Sequence, residues 1–441
     1  MRNGCTTEPI PVTLNASHSA QLKSWVEAAN DPLCPFPIQN LPMAIFSTSA
    51  NLRKRAGVAI GDQVLDLEVL ERSGLLPTGL VPNGLSPTPT AVFNRSSLNA
   101  FMALGPAVWS AVRSTISGEL SKATSDWRLF SQLLTPLADA QLHMPVRVTG
   151  YTDFYASREH ATNVGTLFRG AENALMANWL HMPIAYNGRA STVVVSGTAI
   201  KRPRGQIISA DKPTPVFTAS RKLDMELEMA ALVGTANPMG DPVSVAQAQE
   251  MIFGFVLLND WSARDIQVWE YQPLGPFLGK AFATTISPWV ISREALEPFR
   301  VDGPQQDPQP LSYLRQSAPH NYAIQLQAQL NGQTITETNF KDIYWSSAQQ
   351  LAHHTSGGCA MQTGDLLGSG TISGSQPGSM GSLLELTWNG EKPLTLENGD
   401  IRRFLEDGDR LSLTGYAQGE GYRIGFGEAA ATILPAPSET G

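Results

Sequence analysis

The hydrophobic positions change rhythm along the chain. Over residues 1–40 no period emerges, and Pro, Ser and Asn predict an irregular arm. Then "AIFSTSANLRKRAGVAIGDQVLDLEVL" interrupts short apolar runs with a Gly-Asp pair, the pattern of short strands and a hairpin. Between Ser96 and Leu137 the period lengthens: Leu98, Phe101, Met102 and Leu104, then Val108, Trp109 and Val112, recur at three-to-four spacing and predict helix. From about Leu142 short strands return, as in "STVVVSGTAI", "MIFGFVLLND", "NYAIQLQAQLNG", "SLLELTWNG", "DRLSLTGY" and "RIGFGEAAATIL", separated by Gly, Pro and Asp turns. The expectation is a mainly β (α+β) protein with an arm over 1–40, a small β unit with a helical linker over 41–141, and a larger mixed β domain over 142–441. Strand spacing alone leaves sandwich, roll and barrel open.

Composition narrows the function classes. A chain of 441 residues exceeds the usual size of one core, which suits two units. Its 42% hydrophobic content includes no apolar run of the length, about 20 residues, that a membrane span needs. The net charge is −8, without a stripe of Lys and Arg, so a protein that tracks nucleic-acid phosphates is not expected and a small-molecule partner is. Cys5, Cys34 and Cys359 show no metal spacing, and "MRNGCTTEPIPVTLNAS" lacks the apolar core of a secretory signal. A cytoplasmic setting is the expectation.

Candidate chemistry begins with acids. In "KLDMELEMAALVG", Asp224, Glu226 and Glu228 alternate with Met225, Leu227 and Met229, and a period of two places the three acids on one strand face. Such a face is either solvated or buried against something that offsets the repulsion. Asp260 ends the apolar run "MIFGFVLLND", where a side chain can enter a cleft. In "WSARDIQVWEY", Ser262 and Asp265 stand at capping-box spacing, and Arg264, Gln267 and Tyr271 would share one helix face beneath Asp260. With Asp153 of "YTDFYASREHATNVG", the candidate donors are Asp153, Glu226, Glu228 and Asp260. An all-carboxylate set favours a hard cation, Mg²⁺ or Ca²⁺.

His160 is the first candidate for a general base because it stands close to Asp153 and Tyr155, with His353 and His354 as rivals of which at most one is expected to reach a given site. "GDLLGSGTISGSQPGSMGS" lacks the lysine ending of a phosphate loop and reads as a mobile loop able to approach a ligand closely.

Taken together, "YTDFYASREHATNVG", "ENALMANWLHMPIAYNGRAS", "KLDMELEMAALVG", "LNDWSARDIQVWEYQPLGPFLGKAFATTISPW", "GSGTISG" and "GYRIGFGEAAATILP" resemble the fumarylacetoacetate hydrolase family from about Gly57 to Pro435. The resemblance implies an N-terminal SH3-like β-barrel domain, a larger mixed β-sandwich roll domain and a homodimer. It implies metal-dependent hydrolysis of a carbon–carbon bond in a diketo acid, 4-fumarylacetoacetate, to fumarate and acetoacetate, the last step of tyrosine and phenylalanine breakdown. By residue, it implies a metal site at Asp153, Glu226, Glu228 and Asp260, with Lys280 and Thr284 at family metal positions. Protonated Lys280 has no lone pair, so its role is taken as electrostatic. His160 would be the base and Glu385 its orienting group, Arg264, Gln267 and Lys280 would stabilise an oxyanion, and Tyr155, Arg169, Tyr186, Gln267, Tyr271 and Thr371 would contact substrate. Rival readings are an acylpyruvate hydrolase, an oxaloacetate decarboxylase, and a non-catalytic metal-binding β protein; the last predicts loss of His160, Glu385 or Arg264, which are all present.

Overall fold

The computed structural model describes residues 14–77, 91–129, 132–209, 212–316 and 319–438, so Cys5 lies outside it. The first sheet has five antiparallel strands in the order Leu134–Pro136, Gln63–Asp66, Arg55–Ile60, Met43–Ser47 and Gln141–His143. Its hairpin turns at the Gly-Asp pair, where Gly61 has φ of 61°, in the left-handed region that favours glycine. The helical rhythm becomes Asn99–Met102 and Pro106–Ser121, the second burying Val108, Trp109 and Val112. It does not continue to Leu137: Leu134–Pro136 is instead a strand at the sheet edge, where a proline without an N–H is tolerated.

An eight-stranded sheet forms the centre, with the path Ala185–Asn187, Tyr151–Phe154, Leu366–Gly368, Leu227–Val233, Ile252–Asp260, Thr284–Ile286 and Val193–Val195, and Ile291–Ser292 paired beside Ile252–Asp260. Alternating side chains of this sheet enter different cores. Leu227, Met229, Phe255 and Leu257 join one, and Ala230, Leu232, Val256 and Leu258 join the other. That explains why "MIFGFVLLND" is apolar throughout: the strand is covered on both faces. The second core holds the N-terminal sheet and Trp109, whose ring meets Phe253 edge-on at 5.0 Å. The first core lies between the central sheet and a five-stranded sheet ordered Gln333–Asn339, Gln325–Leu330, Arg410–Gln418, Arg423–Leu434 and Ile200–Lys201. The architecture is mainly β within an α+β arrangement.

Three local expectations are corrected. "SLLELTWNG" is not a strand, because Ser382 caps a helical turn, Leu383–Leu386, by accepting the Glu385 N–H. The Ser-x-x-Glu spacing was the available signal, masked by the apolar residues between. Ser262 and Asp265 do not form a capping box: Ser262–Ala263 pairs as a strand with Leu223–Asp224, the helix Arg264–Glu270 starts after it, and Asp265 accepts from Ser220 Oγ. The glycine-rich stretch is not a loop throughout, since Leu366–Gly368 is a strand inside the central sheet and residues through Ser373 are buried.

Gly165 shows how tightly the helix Arg158–Arg169 is seated. A Cβ there would lie 1.8 Å from the Ala174 carbonyl oxygen, which Arg169 Nη2 also bonds. Overpacking against backbone costs about 1–3 kcal/mol. Gly165→Ala is therefore expected to lower the melting temperature by several degrees despite alanine's better helix propensity; an unchanged melting curve would show that this contact yields freely.

Candidate active site

"YTDFYASREHATNVG" is a strand, a turn and a helix, not a single loop. The strand Tyr151–Phe154 pairs with Leu366–Gly368 and points Asp153 into the sheet's buried face; Ser157 then caps the helix Arg158–Arg169, whose first turn carries His160. Glu228 projects from Leu227–Val233, Glu226 stands just before it, and Asp260 ends Ile252–Asp260. One oxygen from each of Asp153, Glu226, Glu228 and Asp260 lies within 4.8 Å of the others, and all four residues are buried.

Asp224 does not join them. Its carboxylate turns to Arg264 Nε at 2.8 Å and to the Leu383 and Leu384 amides at 2.7 and 3.0 Å, and its strand, Leu223–Asp224, pairs with Ser262–Ala263 apart from the central sheet. Leu223, Met225, Leu227 and Met229 all join one core, so the alternation continues through Asp224, whose carboxylate takes other partners than Glu226 and Glu228 do.

The cluster is asymmetric in charge. Lys280 Nζ donates to Glu226 Oε2 at 2.5 Å and to Asp260 Oδ2 at 2.8 Å, and Arg264 Nη1 reaches Glu226 Oε1 at 2.8 Å. Burial pushes Glu226 up, but Lys280 and Arg264 overcome it and hold the carboxyl well below its ordinary value. Asp153 and Glu228 have no such partners. Burial, then the Asp260 charge on Asp153 and the Asp153 charge on Glu228, push both well above the carboxylate range. Asp153 Oδ1 and Glu228 Oε1 are buried without a hydrogen-bond partner. Gly368 completes the cradle, since a Cβ there would lie 2.5 Å from Asp153 Oδ1.

This donor set fits a hard divalent cation: four carboxylates, two of them carrying a buried oxygen without a partner, with no histidine or thiolate among them. Thr284 Oγ1 donates to Asp260 Oδ1 at 3.1 Å, and Tyr186 OH to Asp260 Oδ2 at 2.5 Å. For Lys280, burial would lower the pKa, yet Asp260 and Glu226 raise it above the ordinary lysine value, so the side chain acts here as a fixed positive charge.

Beside the cluster a cavity of about 830 Å³ is bordered by Asp153, Glu226, Arg264, Gln267, Lys280 and His160. His160 Nδ1 meets Glu385 Oε2 at 2.7 Å; an ionised carboxylate can only accept, so Nδ1 carries the proton and Nε2 is the basic nitrogen. Glu385 also takes bonds from Asn163, Ser373 and Ser382, and burial's upward push on it is outweighed by His160, Asn163 and Ser382. Arg264 Nη2 is buried without a hydrogen-bond partner. Tyr155, Arg169, Tyr186, Tyr271 and Thr371 all border the same cavity. Both His353 and His354 border it as well, which corrects the expectation that only one could; they bond Tyr313 and Thr152.

Sequence reasoning missed Glu270. Its Oε1 accepts from the Phe277 and Gly279 amides at 2.8 and 2.7 Å, and Oε2 accepts from Leu278 at 3.0 Å, closing the loop that leads to Lys280. A glutamate ahead of "YQPLGPFLGK" has no sequence period that announces such a contact. Glu270→Ala is expected to leave three amides without their acceptor and reduce kcat/KM about tenfold, Gln restoring part of it. Equal activity of Ala and wild type would refute that role.

The model for the C-terminal domain of fumarylacetoacetate (FAA) hydrolase matches residues 149–434, and that for the fumarylacetoacetase N-terminal domain matches residues 39–145. The chain belongs to the fumarylacetoacetate hydrolase family. More particularly, it is 51% identical to fumarylacetoacetase of Mus musculus over 425 residues, covering 94% of this chain and 99% of the relative. It is 48% identical to fumarylacetoacetase of Arabidopsis thaliana over 428 residues, covering 95% of this chain and 100% of the relative. A solved fumarylacetoacetate hydrolase from Exiguobacterium antarcticum shares the fold, with a TM-score of 0.50, 16% identity and coverage of 90% of this chain and 99% of that one.

Proposed function

We propose that this hydrolase cleaves the carbon–carbon bond of 4-fumarylacetoacetate, giving fumarate and acetoacetate. The supporting observation is that His160, held by Glu385, borders one cavity with Asp153 and Glu226 of the buried carboxylate cluster. Full-length similarity to fumarylacetoacetases favours this substrate over an acylpyruvate or oxaloacetate.

His160 Nε2 takes a proton from water as the water oxygen bonds to the fumaryl ketone carbon, an effect worth about 10²–10⁴-fold. Glu385 holds the ring and stabilises the imidazolium. Negative charge then appears on the former ketone oxygen, where Arg264 Nη2 has a hydrogen bond to give and Gln267 and Lys280 border the same space. Collapse of the tetrahedral centre breaks the bond to the methylene carbon, whose electron pair passes into the acetoacetate fragment as an enolate. The imidazolium returns the proton to that carbon. Asp153, Glu226, Glu228 and Asp260 would hold Mg²⁺ or Ca²⁺, which when bound supplies Lewis-acid polarisation of the diketone oxygens. Arg169 and the tyrosines Tyr155, Tyr186 and Tyr271, with Thr371, orient the substrate's polar ends.

The same reading includes a division near residue 141 into an SH3-like domain and a catalytic sandwich roll, a homodimer, and a cytoplasmic setting; no helix among the described residues is long and apolar enough to cross a membrane. The test is product analysis with fumarylacetoacetate and an acylpyruvate offered together. Fumarate and acetoacetate should form first, and preferential consumption of the acylpyruvate would overturn the substrate assignment.

A further inference from the structure

The catalytic groups stand on separate pieces of chain. Arg264 opens one short helix, while Glu385, which holds His160, sits on another formed by Leu383–Leu386. Their link is Asp224, fully buried. Its Oδ2 accepts from Arg264 Nε at 2.8 Å and from the Leu384 amide at 3.0 Å, and its Oδ1 accepts from the Leu383 amide at 2.7 Å and from Met225 at 2.8 Å. No other carboxylate among the described residues bonds both the arginine and that helix.

Resting on the function proposed above, we infer that Asp224 is a positioning residue for the reaction, fixing the oxyanion-facing arginine and the helix of the base-orienting glutamate relative to one another. It neither borders the cavity nor belongs to the carboxylate cluster, so its action runs through Arg264 and the helix of Glu385. Arg264 is directed by two acids: Asp224 holds Nε and Glu226 holds Nη1, which fixes the guanidinium plane and leaves Nη2 as the arm to meet developing charge. The Leu383 and Leu384 amides stand in the first turn of their helix and lack acceptors within it; Asp224 supplies these. A shift of either helix by a fraction of an ångström changes the distance between base and oxyanion donor.

Two variants separate positioning from charge compensation. Asp224→Asn keeps the shape but presents one oxygen where two accept now. Asp224→Glu keeps the charge beside Arg264 but adds a methylene, displacing the carboxylate. Both are expected to reduce kcat about 10–100-fold, the usual cost of losing a partner that orients a working group, with KM within about threefold and metal content unchanged. In double variants, Asp224→Asn should add less than about threefold to the loss caused by Arg264→Ala or Glu385→Gln alone, because the partner's contribution is already gone.

A folded Asp224→Glu with wild-type kcat would overturn the inference, as would losses that multiply in full in both double variants. If Asp224→Asn does not fold, Asp224→Glu and its double variants decide. Wild-type enzyme serves as the control: no turnover of fumarylacetoacetate there refutes the proposed function, whereas normal turnover with active Asp224 variants refutes only the positioning role.

Discussion

His160→Ala should reduce kcat about 10²–10⁴-fold, the range a general base contributes, while cation binding stays unchanged. The separation follows from geometry. His160 bonds Glu385 and not Asp153, Glu226, Glu228 or Asp260, so removing the ring leaves the cluster intact. Glu385 would lose one partner but keep Asn163, Ser373 and Ser382, which makes unfolding an unneeded explanation for lost activity. Metal content and thermal unfolding measured beside turnover check this. Near-normal kcat with metal bound would remove His160 from its proposed role.

The second large effect is expected for Glu228→Gln. The amide can still accept from the Gly370 N–H, which now bonds Glu228 Oε2 at 2.9 Å, so the local backbone keeps its partner. One of the negative charges that would hold a cation is gone. Partners in the outer shell of metal sites typically cost 10–100-fold in affinity or activity when lost, so a direct donor should cost at least about 100-fold in cation affinity. Stability should move the other way in chelator-treated protein, because Glu228 is buried among like charges from Asp153, Glu226 and Asp260 and the substitution relieves that repulsion. The crossed outcome, a higher melting temperature without cation and a smaller gain on adding it, is readable by calorimetry. A melting temperature raised equally by cation in both proteins would show that Glu228 is not a donor.

Much of this arrangement could be read from the chain before its fold was known. Residue type, a strand end and alternation mark Asp153, Glu226, Glu228 and Asp260 as candidates in the chain, and the structure brings one oxygen of each within 4.8 Å of the others. Arg264, Gln267 and Tyr271 follow helical spacing and border one cavity. What periodicity could not give was pairing across large sequence separations. Glu385 lies 225 residues from His160, and only tertiary packing makes them neighbours. Asp224 reads as a third member of an alternating acidic face, but its carboxylate is taken by Arg264 and a helix terminus that only tertiary packing brings beside it. Gly368 and Gly370 resembled loop glycines because a sequence shows no crowding; one leaves room for Asp153, and the other gives its amide to Glu228.

We propose that Asp153, Glu226, Glu228 and Asp260, whose carboxylates lie together in the buried cluster, hold a divalent cation that turnover requires. The most direct test is a titration of metal-stripped enzyme with Mg²⁺ or Ca²⁺, following loss of fumarylacetoacetate absorbance and formation of fumarate and acetoacetate. Turnover should be absent at first and rise with bound cation to saturation at a single ion per chain. Full turnover by enzyme shown to be free of metal would mean that the carboxylate cluster does not serve the reaction by holding a cation.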